Sequence, residues 1–145
     1  MKPEPAPLPD NLRELAQATM AQAKFPMLAS IGEAQPRVRP VSPVKTDGFT
    51  VYVASLRSSG KTAEIERNRN VELCYLSDSH DQVRITGVAE TVEDPDVRGG
   101  IWDANPLLRA FLGSIDNPAF VLYKVVPHRV RFMREWALAY HEVPI

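Results

Sequence analysis

From Gln82 to Val92 polar and apolar side chains take turns, with Val83 and Ile85 on one side of the run and Arg84 and Thr86 on the other. Extended backbone sends successive side chains to opposite faces, so this segment reads as a half-buried strand with one wet face. A strand of this length needs hydrogen-bonded neighbours along its edges and an apolar layer beneath it. Gly87, in its middle, marks a bulge or tight bend. The neighbours are visible nearby. Phe25–Ile31, Arg37–Val44, Phe49–Ser55, Val71–Ser77, Phe120–Val126 and Arg129–Trp136 all read as strands, the last two parted by Pro127. Thr46-Asp47-Gly48 reads as a hairpin turn, because Asp-Gly supplies the positive φ angles that a tight turn needs.

Helical signals lie between these runs. Asp10 is placed to cap a helix over Arg13–Gln22, with Leu12, Leu15, Ala16 and Thr19 or Met20 at helical spacing. A short helix follows Gly60 to about Arg67. Asp94-Pro95 and Asn105-Pro106 open two more, since proline suits the first helical turn. Six or more short strands joined by turns predict a mainly β fold, an antiparallel barrel with helices outside it or plugging an end, because closure removes exposed edges. With 145 residues the chain fits one domain over 1–145, in which the proline-rich residues 1–9 form an extended lead-in.

Several classes of chemistry are set aside. The net charge of −1 gives no basic field for nucleic acid. No apolar run approaches the roughly 18–20 residues of a membrane-spanning helix, and the prolines of the first nine residues do not suit a signal peptide, so the expected location is the cytoplasm. His80, His128 and His141 are scattered, with no ligand spacing between any two, so no metal site is expected. No Gly-x-Ser-x-Gly elbow or paired serine and base is present. The lone Cys74 reads as a small core residue.

One segment favours an anion. Ser58-Ser59-Gly60-Lys61-Thr62 lies between a strand and a helix, where free N–H groups and the positive end of the helix dipole collect. Lys61 adds a charge, and Ser58 and Ser59 add donors. It is not a phosphate-binding P-loop, which needs glycine where Ser55 stands. The Asp-Gly hairpin is expected to bring Arg37 and Arg39 back beside Phe49–Ser55, where they join the lysine, and arginine suits phosphate through its planar fork.

The ordered set Gln35-Pro36-Arg37-Val38-Arg39-Pro40-Val41, Val51–Ser55, Ser59-Gly60-Lys61, Asn68–Leu73 and Gln82–Glu90 resembles the pyridoxamine 5′-phosphate oxidase-like split barrels, including their small general-stress-type members. The match is good over about residues 25–92 and looser over 95–118. The resemblance implies an antiparallel, Greek-key-like split barrel that binds FMN at the interface of a homodimer. It implies phosphate contacts from Arg39 and Lys61, ring-lining backbone at Pro40, Val41 and Ser42, and ribityl-phosphate contacts at Ala54 and Ser55. Ser59 and Gly60 match the loop before the lysine, where arginine is frequent in place of Gly60. Gln82 matches a glutamine that reaches the flavin from the partner chain.

The departures narrow the substrate. The oxidases carry a lysine five residues after the phosphate arginine, and here that position is Val44. Lys45, one residue on, points to the other face of a regular strand. The C-terminal Arg-x-His segment of those enzymes is missing. The resemblance therefore implies a flavin oxidoreductase acting on a small molecule other than pyridoxamine phosphate, with no catalytic residue identified. The alternatives are a non-catalytic flavin carrier or stress protein, or a barrel using a deazaflavin or haem, for which His128 or His141 would have to ligate. Trp102, Phe111, Trp136 and Tyr140 are the aromatics that either cover a ring or fill the core.

Overall fold

A computed structural model describes residues 1–145. In chain order the elements are α1 (Leu12–Ala23), β1 (Met27–Gly32), β2 (Gln35–Pro40), β3 (Lys45–Asp47), β4 (Thr50–Leu56), α2 (Gly60–Arg67), β5 (Asn70–Leu76), β6 (Gln82–Thr91), α3 (Pro95–Ala104), α4 (Pro106–Leu112), β7 (Phe120–Met133) and β8 (His141–Val143). All strand pairings are antiparallel, in the order β2-β1-β5-β6-β7-β4-β3, with β8 added to the far half of β7.

That order forces curvature. Flat, six steps of about 4.8 Å would part the edge strands β2 and β3 by about 29 Å. The link from Pro40 to Lys45 is only five residue steps, roughly 18 Å fully extended. The sheet therefore curls until its edges approach, and the mainly β split barrel expected from the sequence is the fold observed.

The inward faces of β1, β4, β5, β6 and β7 fill the interior with Leu28, Val51, Val53, Leu73, Val83, Ile85, Val125, Val130 and Phe132, and α1 closes one end with Ala16 and Met20. A second, smaller core lies beneath α3 and α4, where Ile101 and Leu112 meet Val92, Phe120 and Leu122. Trp102 packs against that core, 5.9 Å from the Phe120 ring, and so takes the filling role.

Several sequence expectations need correction. The helix cap is Asn11, whose side chain accepts from the Glu14 amide; Asp10 lies outside. The strand drawn as Arg37–Val44 breaks at Pro40 and restarts at Lys45, because Pro40 and Pro43 have no N–H for a ladder. β2 thus pairs with β1, and the Asp-Gly hairpin folds only β3 back onto β4. Pro127 does not divide two strands. β7 runs through it, and the register shifts so that Thr86 faces Arg129 and Gly87 faces Pro127, leaving His128 as the extra residue of a bulge. Gly87 is required there, since a Cβ would stand 2.2 Å from the Val126 carbonyl oxygen. The last strand ends at Met133, and Trp136 takes a positive φ of 68° in the turn beyond. Cys74 is half-buried on the outward face of β5, opposite Met27, and is not a core residue.

Candidate functional site

β4 ends at Leu56, and three residues later Ser59 stands at the N-cap of α2 in extended conformation. Its hydroxyl makes no capping hydrogen bond. The amide N–H groups of Gly60 and Lys61 precede the first intrahelical bonds and have no acceptor in the chain. Thr62 is committed differently. Its hydroxyl donates to the Leu56 carbonyl oxygen at 2.6 Å. Thr62 has one hydroxyl proton, so in the 2.7 Å contact with Ser55 the donor is Ser55. This buried pair pins the loop to the end of β4. The result is a fixed turn whose outward polar groups are free while its inward ones are satisfied.

Lys61 is half-buried and forms none of the chain's ion pairs. Burial, and then the nearby Arg39 charge, push its pKa below the ordinary 10.5. A cation held beside another cation, at a helix N-terminus, without a counter-ion, is an electrostatic setting that an anion completes. Arg39 itself is occupied. Its guanidinium donates to Glu64 Oε2 at 2.5 Å, to Ser30 Oγ at 2.8 Å and to the Leu28 carbonyl at 3.1 Å. Ser30 also donates to Glu64, which with Arg39 holds that carboxyl below its usual range despite burial.

The loop opens onto a cleft of about 460 Å³, a size suited to a small cofactor. Its polar end is Ser55, Ser59 and Lys61. Ser42, Pro43 and Val44 form one side, and α4 forms the other with Leu107, Leu108 and Phe111. Leu107 and Phe111 are 86% and 73% exposed, an apolar wall with nothing against it. Asn105 joins helix to strap, its amide donating to the Val44 carbonyl at 3.1 Å and to Ile101 at 2.6 Å.

Of the residues singled out in the sequence, Ser42, Ala54, Ser55, Ser59 and Lys61 line this one cleft. Gly60 lies between two of them. Val41 is buried and Pro40 exposed on the approach to Ser42, and Arg39 sits behind Lys61 rather than in the cleft. Gln82 is elsewhere. It begins β6 opposite Met133, nine residues from Thr91, which faces Tyr123 near β4; that is about 30 Å of strand. Tyr140 donates to its side-chain oxygen at 2.6 Å, with its ring beside Arg84 and Arg131. Val44 lines the cleft and Lys45 does not, its ammonium lying 5.4 Å from the Tyr52 ring. Leu107, Leu108 and Asn105 were not found from sequence; only Phe111 of this wall was. No three metal-ligating side chains gather anywhere in the chain.

Comparison with known proteins gives this geometry a lineage. The model of the pyridoxamine 5′-phosphate oxidase family matches residues 12–134. The chain belongs to that family. General stress protein 26 of Bacillus subtilis (strain 168) is 28% identical over 114 residues, covering 76% of this chain and 79% of the relative. The crystal structure of General Stress Protein 26 from Bacillus anthracis str. Sterne superposes with a TM-score of 0.73 at 24% identity, over 85% of this chain and 94% of that one. A heme binding protein from Mycobacterium smegmatis has the same fold, with a TM-score of 0.75 at 17% identity, over 95% of this chain and 59% of that one. Family membership accounts for the split barrel. No helix is long and apolar enough to cross a membrane.

Proposed function

We propose that this member of the pyridoxamine 5′-phosphate oxidase family binds FMN and works as a flavin-dependent oxidoreductase on a small molecule. The observation that carries the reading is the uncommitted anion cradle, formed by the Ser59 hydroxyl, the Gly60 and Lys61 amides and the Lys61 ammonium, opening directly onto an apolar-walled cleft. A phosphate satisfies every free donor there at once, and the cleft beyond has room for the rest of a nucleotide-sized cofactor.

In this reading Lys61, Ser59 and Gly60 hold the phosphate. Arg39, fixed by Glu64, supplies positive potential from behind. Ser55 and Ala54 border the ribityl chain, and the backbone of Pro40, Val41 and Ser42 lines the ring. Leu107, Leu108 and Phe111 keep water from the apolar face. Bound FMN supplies hydride or single-electron chemistry, which this chain's residues otherwise lack. Val44 in place of a lysine, with Lys45 turned away, argues against a phosphorylated pyridoxamine substrate.

Gln82 lies too far along β6 to reach its own chain's cleft, so its contact with flavin would come across a homodimer. Exposed Met27, Ile31, Val38 and Leu76 share the outward face of β1, β2 and β5 and offer the apolar surface that such a dimer would cover. None of the three histidines lines the cleft, which favours flavin over a histidine-ligated haem.

The test is an absorbance spectrum of purified protein before and after incubation with FMN and removal of excess. Retained flavin bands, with bleaching by a reductant and reoxidation dependent on an added acceptor, are expected. Retained flavin without turnover would make the protein a carrier. Colourless protein that keeps no FMN, or a Soret band, would overturn the flavin reading. Sedimentation of flavin-loaded protein as a monomer would contradict the shared site.

A further inference from the structure

A second cleft, of about 510 Å³, lies on the other side of the strap that links β2 to β3. Gln17, Met20, Ala21 and Lys24 of α1 and its C-cap form one wall. Pro43, Thr46 and Gly48 of the strap and hairpin form the other, and Tyr75 of β5 is part of the lining between them. Phe25 stands at the rim with 61% of its surface in water. The Gln17 amide nitrogen lies 3.9 Å from where a Cβ on Gly48 would be, so the helix side chain reaches the hairpin across the cleft.

Tyr75 makes this cleft more than a gap between elements. The residue is 2% exposed, yet its hydroxyl has no hydrogen-bond partner. An unmatched buried hydroxyl costs about 1–3 kcal/mol, and folds seldom keep one without a use. Burial pushes its pKa well above the ordinary 10.0, so it is a neutral donor at physiological pH. Lys24 belongs to none of the chain's ion pairs. The Gln17 amide and the Thr46 hydroxyl line or border the cleft as further donors.

We infer that this cleft is a second binding site, for a small monocarboxylate with an apolar body, whose carboxylate takes the Tyr75 hydroxyl and the Lys24 ammonium while its body lies on Met20, Phe25 and Pro43. One cation suits a single negative charge better than a dianionic phosphate. The apolar side chains suit one ring or a short hydrocarbon chain. The assignment does not depend on the flavin reading, because the cleft shares only Pro43 with the first one.

The experiment is a titration of the full chain with benzoate, followed residue by residue through its amide NMR resonances, with neutral benzamide as the comparison. Saturable shifts at Gln17, Lys24, Gly48 and Tyr75 are expected, with benzamide at least about tenfold weaker. Tyr75→Phe and Lys24→Gln should each weaken benzoate about five- to tenfold, while Lys61→Ala leaves it unchanged. Without ligand, Tyr75→Phe should melt no lower than the native protein, since it removes an unmatched group. Absence of saturating shifts at these amides, shifts confined to Ser59–Lys61, equal binding of benzamide, or unchanged affinity in Tyr75→Phe would each overturn the site. A destabilised Tyr75→Phe would do the same, by showing that the hydroxyl already has a partner in the fold.

Discussion

The β6–β7 ribbon and the turn from Ser59 to Lys61 treat their polar groups in opposite ways. Along the ribbon the ladder is continuous on both sides of a single bulge, and even its outward charges are paired. Glu72 accepts from Thr86 at 2.6 Å, from Arg84, and from Arg131 at 3.3 Å. At the turn a lysine, a hydroxyl and two amides are left without partners a few residues from a fully satisfied serine–threonine pair. The ribbon's polar groups are spent within the fold, whereas those of the turn are the ones that the flavin reading proposed above would use. Substitutions in the two regions should therefore have separable consequences.

The largest effect is expected in the ribbon's core. Phe132→Ala removes a fully buried ring and should cost about 3–5 kcal/mol of unfolding free energy in a denaturant titration. A loss below 1 kcal/mol would mean that the barrel interior is looser than its packing implies. Gly87→Ala comes next, at about 3 kcal/mol, because the new methyl group meets the Val126 carbonyl and the bulge must move. The turn should behave in the reverse manner. Lys61→Ala should weaken FMN by about 1.5–3 kcal/mol, the range for a charged hydrogen bond, and change stability by no more than about 0.5 kcal/mol. Calorimetric binding and thermal melting of the same variant decide it, and a variant that lost stability but kept FMN would erase the contrast.

The smallest effect is in the pH profile. Burial and Arg39 depress the Lys61 pKa below 10.5 in the free protein, and a bound phosphate would favour the charged form again. Binding then takes up a proton at alkaline pH, so affinity should be flat near neutrality on this account and fall as pH rises through the depressed value. Lys61→Gln should flatten that alkaline limb. An unchanged limb in the variant would move the effect to another group.

How much of this was legible beforehand depended on sequence distance. Alternation in Gln82–Thr91, the Asp47-Gly48 hairpin and the prolines that open α3 and α4 are local signals, and each marks its element correctly. Gly87 was legible as a bend, but its cause was not, since Pro127 and His128 lie forty residues away. Pro127 reads as a break for the same reason: proline stops a strand locally, whereas here a bulge opposite glycine accommodates it. Strand β8 has three residues, too few to show a period. At the cleft, Ser55, Ser59 and Lys61 could be found because one turn carries them. The Glu64 that occupies Arg39 could not, because that contact depends on how α2 packs against β1, and neither could the exposure of Leu107 on α4.

The strand order also carries a kinetic consequence. β1 waits for β5, and β4 for β7, whose first residue, Phe120, faces Leu56. Until residues 120–125 are available, the strand that leads into the lysine turn has only the three-residue β3 beside it. Folding dominated by such distant pairings is slow. As the chain leaves the ribosome, hairpins can form early, but the barrel cannot close until β7 has emerged. The interval before closure leaves β4 with an open edge, and that edge is where association between unfinished copies would begin.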